Sequence, residues 1–290
     1  METKTVLVTG GNAGIGYFVA EQLAARGATV VIGSRSAAKA EAALGSIRAQ
    51  VPGARVRHVP LDLADLPSLK ASADALELSR LDAVVHNAGV YLDGPQRRET
   101  AAGHELTFGT NHLGHFALTH WLAPLLAGGG RIVTTGSFTA KRAELDFDDL
   151  QNQNDYEPKR AYARSKLAQM LFGFELDRRL RAAGSSAISV VTHPGGALDS
   201  LTPSRPPVHV RKPGLSPAGL LLQGKDAGAW PAVHAVLEPG VEGGQLWGPR
   251  MLGMRGRPHL ETARGRLADP EAAARVWAAS VELTGVDPFA

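Results

Sequence analysis

The chain reads as an α/β protein with a doubly wound parallel sheet. Three observations point there. Short apolar runs rich in Val and Ile alternate with longer segments of helical periodicity, the pattern of strands buried on both faces and joined by crossover helices. A glycine-rich junction, Thr9-Gly10-Gly11-Asn12-Ala13-Gly14-Ile15-Gly16, links the first apolar run to the first helical segment. The length of 290 residues, 44% of them hydrophobic, suffices for one core of this kind.

The elements follow in order. Thr5–Thr9 is a Val-rich strand, and residues 15–26 are a helix that Gly27 closes. Thr29–Gly33 is a second buried strand, residues 37–51 a helix and residues 55–60 a strand. Residues 66–78 read as helix, 81–86 as strand, and 103–126 as one long helix with Asn111 inside it. Residues 131–135 are a strand, 159–183 a helix ended by Gly184, and 187–192 a strand. Right-handed crossovers between such strands give the doubly wound arrangement.

The pattern changes after Pro194. Pro194, Pro203, Pro206, Pro207, Pro213 and Pro217 crowd one stretch, followed by a helix-like segment at 226–237, a glycine-rich stretch at 240–256 and a last helix at 270–283. No repeat or linker divides the chain, so residues 1–290 are expected to form a single domain. Ligands of open α/β sheets bind beyond the carboxyl ends of the strands. Residues 194–256 are therefore expected to be an irregular substrate-binding lid and C-terminal extension, against the alternative of a loop with no role in recognition.

Composition removes several functions. Without cysteine there are no disulfides, thiolate metal sites or cysteine nucleophiles. A formal charge of +3 is too modest to argue for nucleic acid, and Arg250, Arg255, Arg257, Arg264 and Arg266 are interrupted by Gly and Pro. Only four residues precede the first strand, and no run reaches the ~18 apolar residues of a membrane span. A soluble cytoplasmic protein is the expectation. His112, His115 and His120 share a helix without metal-ligand spacing, so no metal is expected; His115, four residues past Asn111, is expected to face the active site.

Two motifs carry chemistry. In the glycine junction, Gly10 permits a tight turn, Gly14 lets backbone approach a pyrophosphate and Gly16 allows close helix–strand packing. The helix N-terminus beyond presents free N–H groups to phosphate. At the end of the second strand, Ser34-Arg35-Ser36 offers a guanidinium and no carboxylate, which predicts NADP(H) over NAD, with Ser34 and Lys39 assisting Arg35. Further along, Tyr162-Ala-Arg-Ser-Lys166 puts a phenol and an ammonium on one helix face. A nearby ammonium stabilises a phenolate, so that Tyr162 can exchange a proton near neutral pH.

The glycine junction, Asn87-Ala88-Gly89, Ser137 after an apolar run and Tyr162-x-x-x-Lys166, in this order, resemble the short-chain dehydrogenase/reductase superfamily. Thr110-Asn111-His112-Leu113-Gly114-His115-Phe116, Ser165-Lys166-Leu167-Ala168 and His193-Pro194-Gly195 resemble its retinol dehydrogenase and protochlorophyllide reductase branch. The resemblance implies a Rossmann fold and a cofactor site comprising Thr9, Gly10, Asn12, Gly14, Ile15, Gly16, Ser34, Arg35, Asp62, Leu63, Asn87, Ala88, Gly89, Tyr162, Lys166, Pro194 and Gly195. In it Asp62 contacts the adenine amino group, and Pro194-Gly195 lines the nicotinamide carboxamide.

The same resemblance gives four catalytic roles. Tyr162 is the general acid/base. Lys166 lowers its pKa and binds the nicotinamide ribose. Ser137 donates to the substrate oxygen, and Asn111 holds a water that relays protons to Lys166. The chain departs from the family in two places. His86 stands where Asn usually precedes the Asn-Ala-Gly triplet. Asp199 stands where Thr often follows the Pro-Gly turn, with Ser200 and Thr202 near.

The implied reaction interconverts a ketone or aldehyde with an alcohol on an apolar or aromatic small molecule. The leucines at 198, 201, 215 and 220–222 motivate the apolar substrate, although they could equally be core. Two alternatives stand beside it. One is C=C reduction of the protochlorophyllide reductase type, which the lack of cysteine opposes. The other is a non-redox NADP-binding sensor, or a repurposed cyclase or isomerase. A homodimer or homotetramer through the helices bearing Asn111 and Tyr162 is expected, unless the polar 141–156 insertion blocks it.

Overall fold

The computed structural model describes residues 3–211 and 221–289. Its centre is an eight-stranded sheet in the order β3-β2-β1-β4-β5-β6-β7-β8. The strands are β1 (Thr5–Thr9), β2 (Thr29–Ser34), β3 (Val56–Pro60), β4 (Ala83–His86), β5 (Arg131–Thr135), β6 (Ile188–Thr192), β7 (Leu246–Met251) and β8 (Arg255–Glu261). All neighbours pair in parallel except β7 and β8, which are antiparallel. Strand order reverses between β1 and β4, which places a crevice at the carboxyl ends of both.

Alternation along the strands builds two apolar layers. Val6 and Val8 of β1 point into the layer covered by α1 (Gly14–Ala25), α2 (Ala37–Gln50) and a later helix pair. Leu7 points into the opposite layer, under α3 (Leu69–Asp74), with helices that follow the short α4 (Leu106–Phe108). These are α5 (Gly114–Leu126), α6 (Pro158–Ala182) and α9 (Pro270–Thr284), which supply Phe116, Phe172 and Trp277. The pair on the first face is α7 (Lys225–Gly228) and α8 (Trp230–Leu237).

Local chemistry sets the helix ends. Ser36 caps α2 by accepting from the Lys39 N–H. Glu157 and Asp269 cap α6 and α9, each followed by a proline at the first helical position. Gly285, at φ +71°, ends α9 in the left-handed conformation that Cβ-bearing residues resist.

Three expectations are corrected. The helix expected over 103–126 is not continuous: Gly109–Leu113 is a π-helical turn between α4 and α5. The helix expected over 66–78 is a 3₁₀ turn, Leu66–Ser68, running into the short α3. The glycine-rich 240–256 stretch is not a loop, since it contributes β7 and the turn into β8.

Glycine and proline concealed that hairpin. Pro249 and Pro258 oppose one another at a bulge in the outermost pair, where a missing N–H costs little. The 194–256 region is accordingly not uniformly irregular: α8 and β7 belong to the main layers, and among the described residues before α7 only the 3₁₀ turn Asp199–Leu201 is regular. Leu215, Leu220, Pro213 and Pro217 lie outside the described residues.

Candidate active site

The crevice at the strand-order reversal is a cleft of about 460 Å³. Fifteen of the sequence-predicted site residues line it: Thr9, Gly10, Asn12, Gly14, Ile15, Ser34, Arg35, Asp62, Leu63, Asn87, Ala88, Gly89, Tyr162, Lys166 and Pro194. A larger open cleft of about 720 Å³ lies between the 142–148 segment, α6 and Arg275. Its charges are partly satisfied locally, as in Arg266–Glu144 at 2.8 Å and Arg275 over Phe147.

At one end of the cleft, α1 begins with Ala13 at the cap, no side chain accepting from its first N–H groups and no acid in its first turn. These amides and the helix dipole are suited to an anion. Gly16 packs under the loop, where a Cβ would come within 2.3 Å of Asn87 Nδ2 and 2.6 Å of the Gly10 carbonyl. Gly14, at φ +59°, has open space on its Cβ side. Arg35, Ser36 and Lys39 line the far end with the buried Ser34, and Arg35 and Lys39 are exposed to an incoming phosphate. The cradle thus fits a dinucleotide.

At the other end stand the groups suited to acid–base work. Tyr162 stands beside Ser137, whose hydroxyl also lies 2.9 Å from Thr139 Oγ1. Burial lifts the Tyr162 phenol above its ordinary value, and the neighbouring Ser137 hydroxyl acts against that rise. Lys166 is almost wholly buried, donates to the Thr135 carbonyl at 3.1 Å, and is pulled down to about 8 by desolvation. A lowering of Tyr162 by Lys166, as expected from the sequence, is not among the influences on the phenol here. Tyr91 stacks edge-on against Tyr162 with centroids 5.5 Å apart and forms part of the cleft wall.

Asn111 sits behind Gly89, fully buried in the π-helical turn. Its Oδ1 accepts from the Val90 N–H at 2.7 Å, and its Nδ2 donates to the Val90 carbonyl at 3.1 Å and to Ser165 Oγ at 3.0 Å. The side chain therefore braces the strand-end loop that follows Asn87-Ala88-Gly89. A Cβ on Gly89 would lie 3.2 Å from Asn111 Oδ1 and 3.4 Å from Lys166 Nζ, so a side chain there would press on both groups.

Of the remaining predicted residues, Asn111, Gly16, Gly195 and Ser137 do not line the cleft itself. Gly195 instead turns toward the β7–β8 hairpin, at φ +67°, where a Cβ would strike the Met254 carbonyl at 2.5 Å.

His115 does not face the active site. Its Nδ1–H donates to the Asn111 carbonyl at 3.0 Å, which leaves Nε2 to accept from the Thr9 hydroxyl at 2.9 Å. That hydroxyl also accepts the Asn87 and Ala88 N–H groups at 2.9 and 3.0 Å. Thr9 and His115 thus tie the first loop, the fourth-strand loop and the Asn111 turn together, a link over more than a hundred residues that no local pattern announces.

His86 is buried, stacks on His115 at 4.8 Å, and is pulled down to about 3 by desolvation. It lies behind the cleft wall rather than in it. Asp199 pairs with Lys225, and the Thr202 hydroxyl donates to the Leu198 carbonyl and accepts from the Lys225 N–H. Both are engaged within the 198–225 segment. No cluster of metal-ligating side chains occurs among the described residues.

Comparison with known proteins places this geometry. A family model described as short chain dehydrogenase matches residues 4–147. Polyprenol dehydrogenase of Mus musculus is 36% identical over 97% of this chain and 84% of its own length. This chain belongs to the short-chain dehydrogenase/reductase family. Retinol dehydrogenase 14 of Mus musculus is 42% identical over 67% of the chain and 61% of that protein, which fits the retinol dehydrogenase-like branch. Among solved structures, an uncharacterised protein from Mycobacterium paratuberculosis superposes with TM-score 0.81 at 35% identity, covering 99% of this chain and 95% of that one. A Burkholderia cenocepacia short chain dehydrogenase in complex with NADP gives TM-score 0.61 at 27% identity, over 80% and 90% of the two chains.

As a member of this family the protein is an NAD(P)-dependent oxidoreductase acting on the alcohol/carbonyl pair. Among the described residues no helix is long and apolar enough to cross a membrane.

Proposed function

We propose that the protein uses NADP(H) to interconvert a ketone or aldehyde with an alcohol on an apolar small molecule. One observation carries the reading: Tyr162, beside Ser137, lines the same cleft as the start of α1, with the buried Lys166 in its wall. NADPH, when bound, supplies the hydride. Ser137 donates to the carbonyl oxygen as charge grows there, and Tyr162 delivers the proton that completes the alcohol. Lys166, whose ammonium donates to the Thr135 carbonyl close to Gly89, is placed to hold the nicotinamide ribose. Asn111 fixes the Val90 backbone, and so the floor on which the nicotinamide half rests.

The exposed Arg35 guanidinium beside Ser34, Ser36 and Lys39, with no carboxylate at the end of β2, supports the 2′-phosphate and hence NADP(H). An apolar substrate is supported by Tyr91 on the wall and by the relatives named for polyprenol and retinol.

The test is oxidation of NADPH and NADH with a panel of apolar ketones, aldehydes and quinones. Wild type should turn over with NADPH, and Tyr162→Phe should lose at least 100-fold of that rate, the scale of a general acid's contribution. Arg35→Ala should erode the preference for NADPH over NADH. Equal rates in Tyr162→Phe and wild type would overturn the chemistry. An unchanged cofactor ratio in Arg35→Ala would overturn the selectivity alone.

A further inference from the structure

Glu261, the last residue of β8, reaches back over the sheet to two catalytic walls. Its Oε1 lies 3.0 Å from His193 Nε2, and its Oε2 lies 2.6 Å from Lys141 Nζ. His193 is completely buried, and Glu261 largely so. The protonation of the imidazole follows from its partners. His193 Nδ1 accepts the Gly195 N–H at 3.3 Å, so Nε2 carries the proton and donates to Glu261.

Each arm ends on a different wall. The His193 arm fixes the Pro194–Gly195 turn, of which Pro194 lines the cleft and which the family resemblance sets beside the nicotinamide. The Lys141 arm ends in the 3₁₀ turn Phe138–Arg142, which begins directly after Ser137 and is capped by its hydroxyl.

Space around the carboxylate is filled to contact. A Cβ on Gly248 would come within 2.3 Å of both Glu261 Oε1 and His193 Nε2. A Cβ on Gly253 would meet Lys141 Nζ, Glu261 Oε1 and Phe138 at 3.3 to 3.4 Å. The hairpin turn also accepts the Gly196 N–H on the Met254 carbonyl at 2.9 Å. Burial of this kind leaves the carboxylate one arrangement: both oxygens engaged, one by each wall.

We propose that Glu261 is a positioning residue, whose two oxygens set the separation of the Ser137 turn and the Pro194–Gly195 turn. The inference rests on the functional reading above, because it concerns where substrate oxygen and nicotinamide meet. The competing view is an ion pair that only staples β8 to the protein.

Glu261→Gln separates the two. A glutamine has one acceptor oxygen for two donors. If the Lys141 ammonium takes it, the amide N–H₂ faces His193 Nε2–H, and the imidazole must change tautomer and release the Gly195 N–H. Removing Lys141 frees that oxygen for His193 again.

The measurement is NADPH affinity by fluorescence titration, which needs no substrate, with thermal melts as a check on folding. Glu261→Gln should weaken NADPH at least fivefold. Lys141→Met should leave it within twofold of wild type while lowering kcat on the best carbonyl about tenfold. The double variant Lys141→Met/Glu261→Gln should bind NADPH more tightly than Glu261→Gln alone, a non-additivity that a simple staple does not give.

Affinity within twofold of wild type in Glu261→Gln, or equal weakening in the single and the double variant, would overturn the proposal. If Glu261→Gln does not fold, Lys141→Met decides, and an unchanged kcat overturns it. Wild type that binds NADPH yet turns over no carbonyl would sink the redox reading while the affinity pattern still judges Glu261. Wild type that binds neither nucleotide would overturn both.

Discussion

Lys166 shows how burial and function oppose each other at a single residue. Its buried ammonium donates to the Thr135 carbonyl, and desolvation holds it at about 8. An unfolded lysine titrates near 10.4. Between these values the unfolded chain keeps a proton that the folded chain has released, so this group makes stability rise with pH, by about 1.4 kcal/mol per unit at most. Below pH 8 both states are protonated and its cost is constant. The difference in unfolding free energy between wild type and Lys166→Met should therefore be flat from pH 6 to 7.5 and shift in favour of wild type from pH 8 to 10. Urea melts of both proteins across that range test it, and a difference that does not move with pH would refute it. Lys166 and Tyr162 were legible from sequence because four residues on a helix fix their common face. Glu261 was not: its partners lie 68 and 120 residues away, and nothing local distinguishes it from an exposed strand carboxylate.

Among the elements, the π-helical turn Gly109–Leu113 does what a regular helix would not. The extra residue in the turn presents Asn111 to the loop beyond β4, where its amide meets both the N–H and the C=O of Val90. The sequence placed an Asn inside a helix there but carried no sign of the widened turn, because helical periodicity survives one inserted residue. Asn111→Asp tests the brace. The carboxylate still accepts from the Val90 N–H, but it cannot donate to the Val90 carbonyl or to Ser165, and two acceptor oxygens are left facing each other. Leaving a buried polar group so mismatched costs about 1–3 kcal/mol. Denaturant melts should show that loss, and NADPH should bind more weakly because the floor under the nicotinamide half loosens. Full stability with full cofactor affinity would mean that the brace is dispensable. The β7–β8 hairpin makes the complementary point. Its glycines and prolines read as loop, yet they are what let a strand pair lie this close to His193 and Lys141, since Gly248 has no room for a side chain and Gly253, at φ +68°, sits in the left-handed region.

At the scale of the whole molecule, the nucleotide cradle and the C-terminal helix occupy different parts of one sheet. The cradle is built from β1, α1, β2 and the loops beyond them, whereas α9 packs on α6 behind the catalytic helices. Trp277 is the anchor of that contact. It is 2% exposed, lies against Phe116 and Phe172 at 5.0 and 5.9 Å, carries the Arg179 guanidinium over its ring and donates to Asp287. The same helix reaches the π-helical turn through Ser280, 2.7 Å from His112. The doubly wound order was legible from alternating runs as far as β6, where most strands are short apolar runs between helical segments. The last two strands and the docking of α9 depend on contacts far apart in sequence. Trp277→Ala removes a large buried ring and should cost about 3–5 kcal/mol. The loss should be confined to stability: in the folded variant NADPH affinity should stay within twofold of wild type, because no residue of α9 lines the cleft. Calorimetric or denaturant unfolding measures the first quantity and fluorescence titration the second. A large drop in melting temperature with intact cofactor binding would mark α9 as support for the fold. A parallel loss of affinity would instead show that the Ser280–His112 link transmits the disturbance through the Asn111 turn to the cofactor floor.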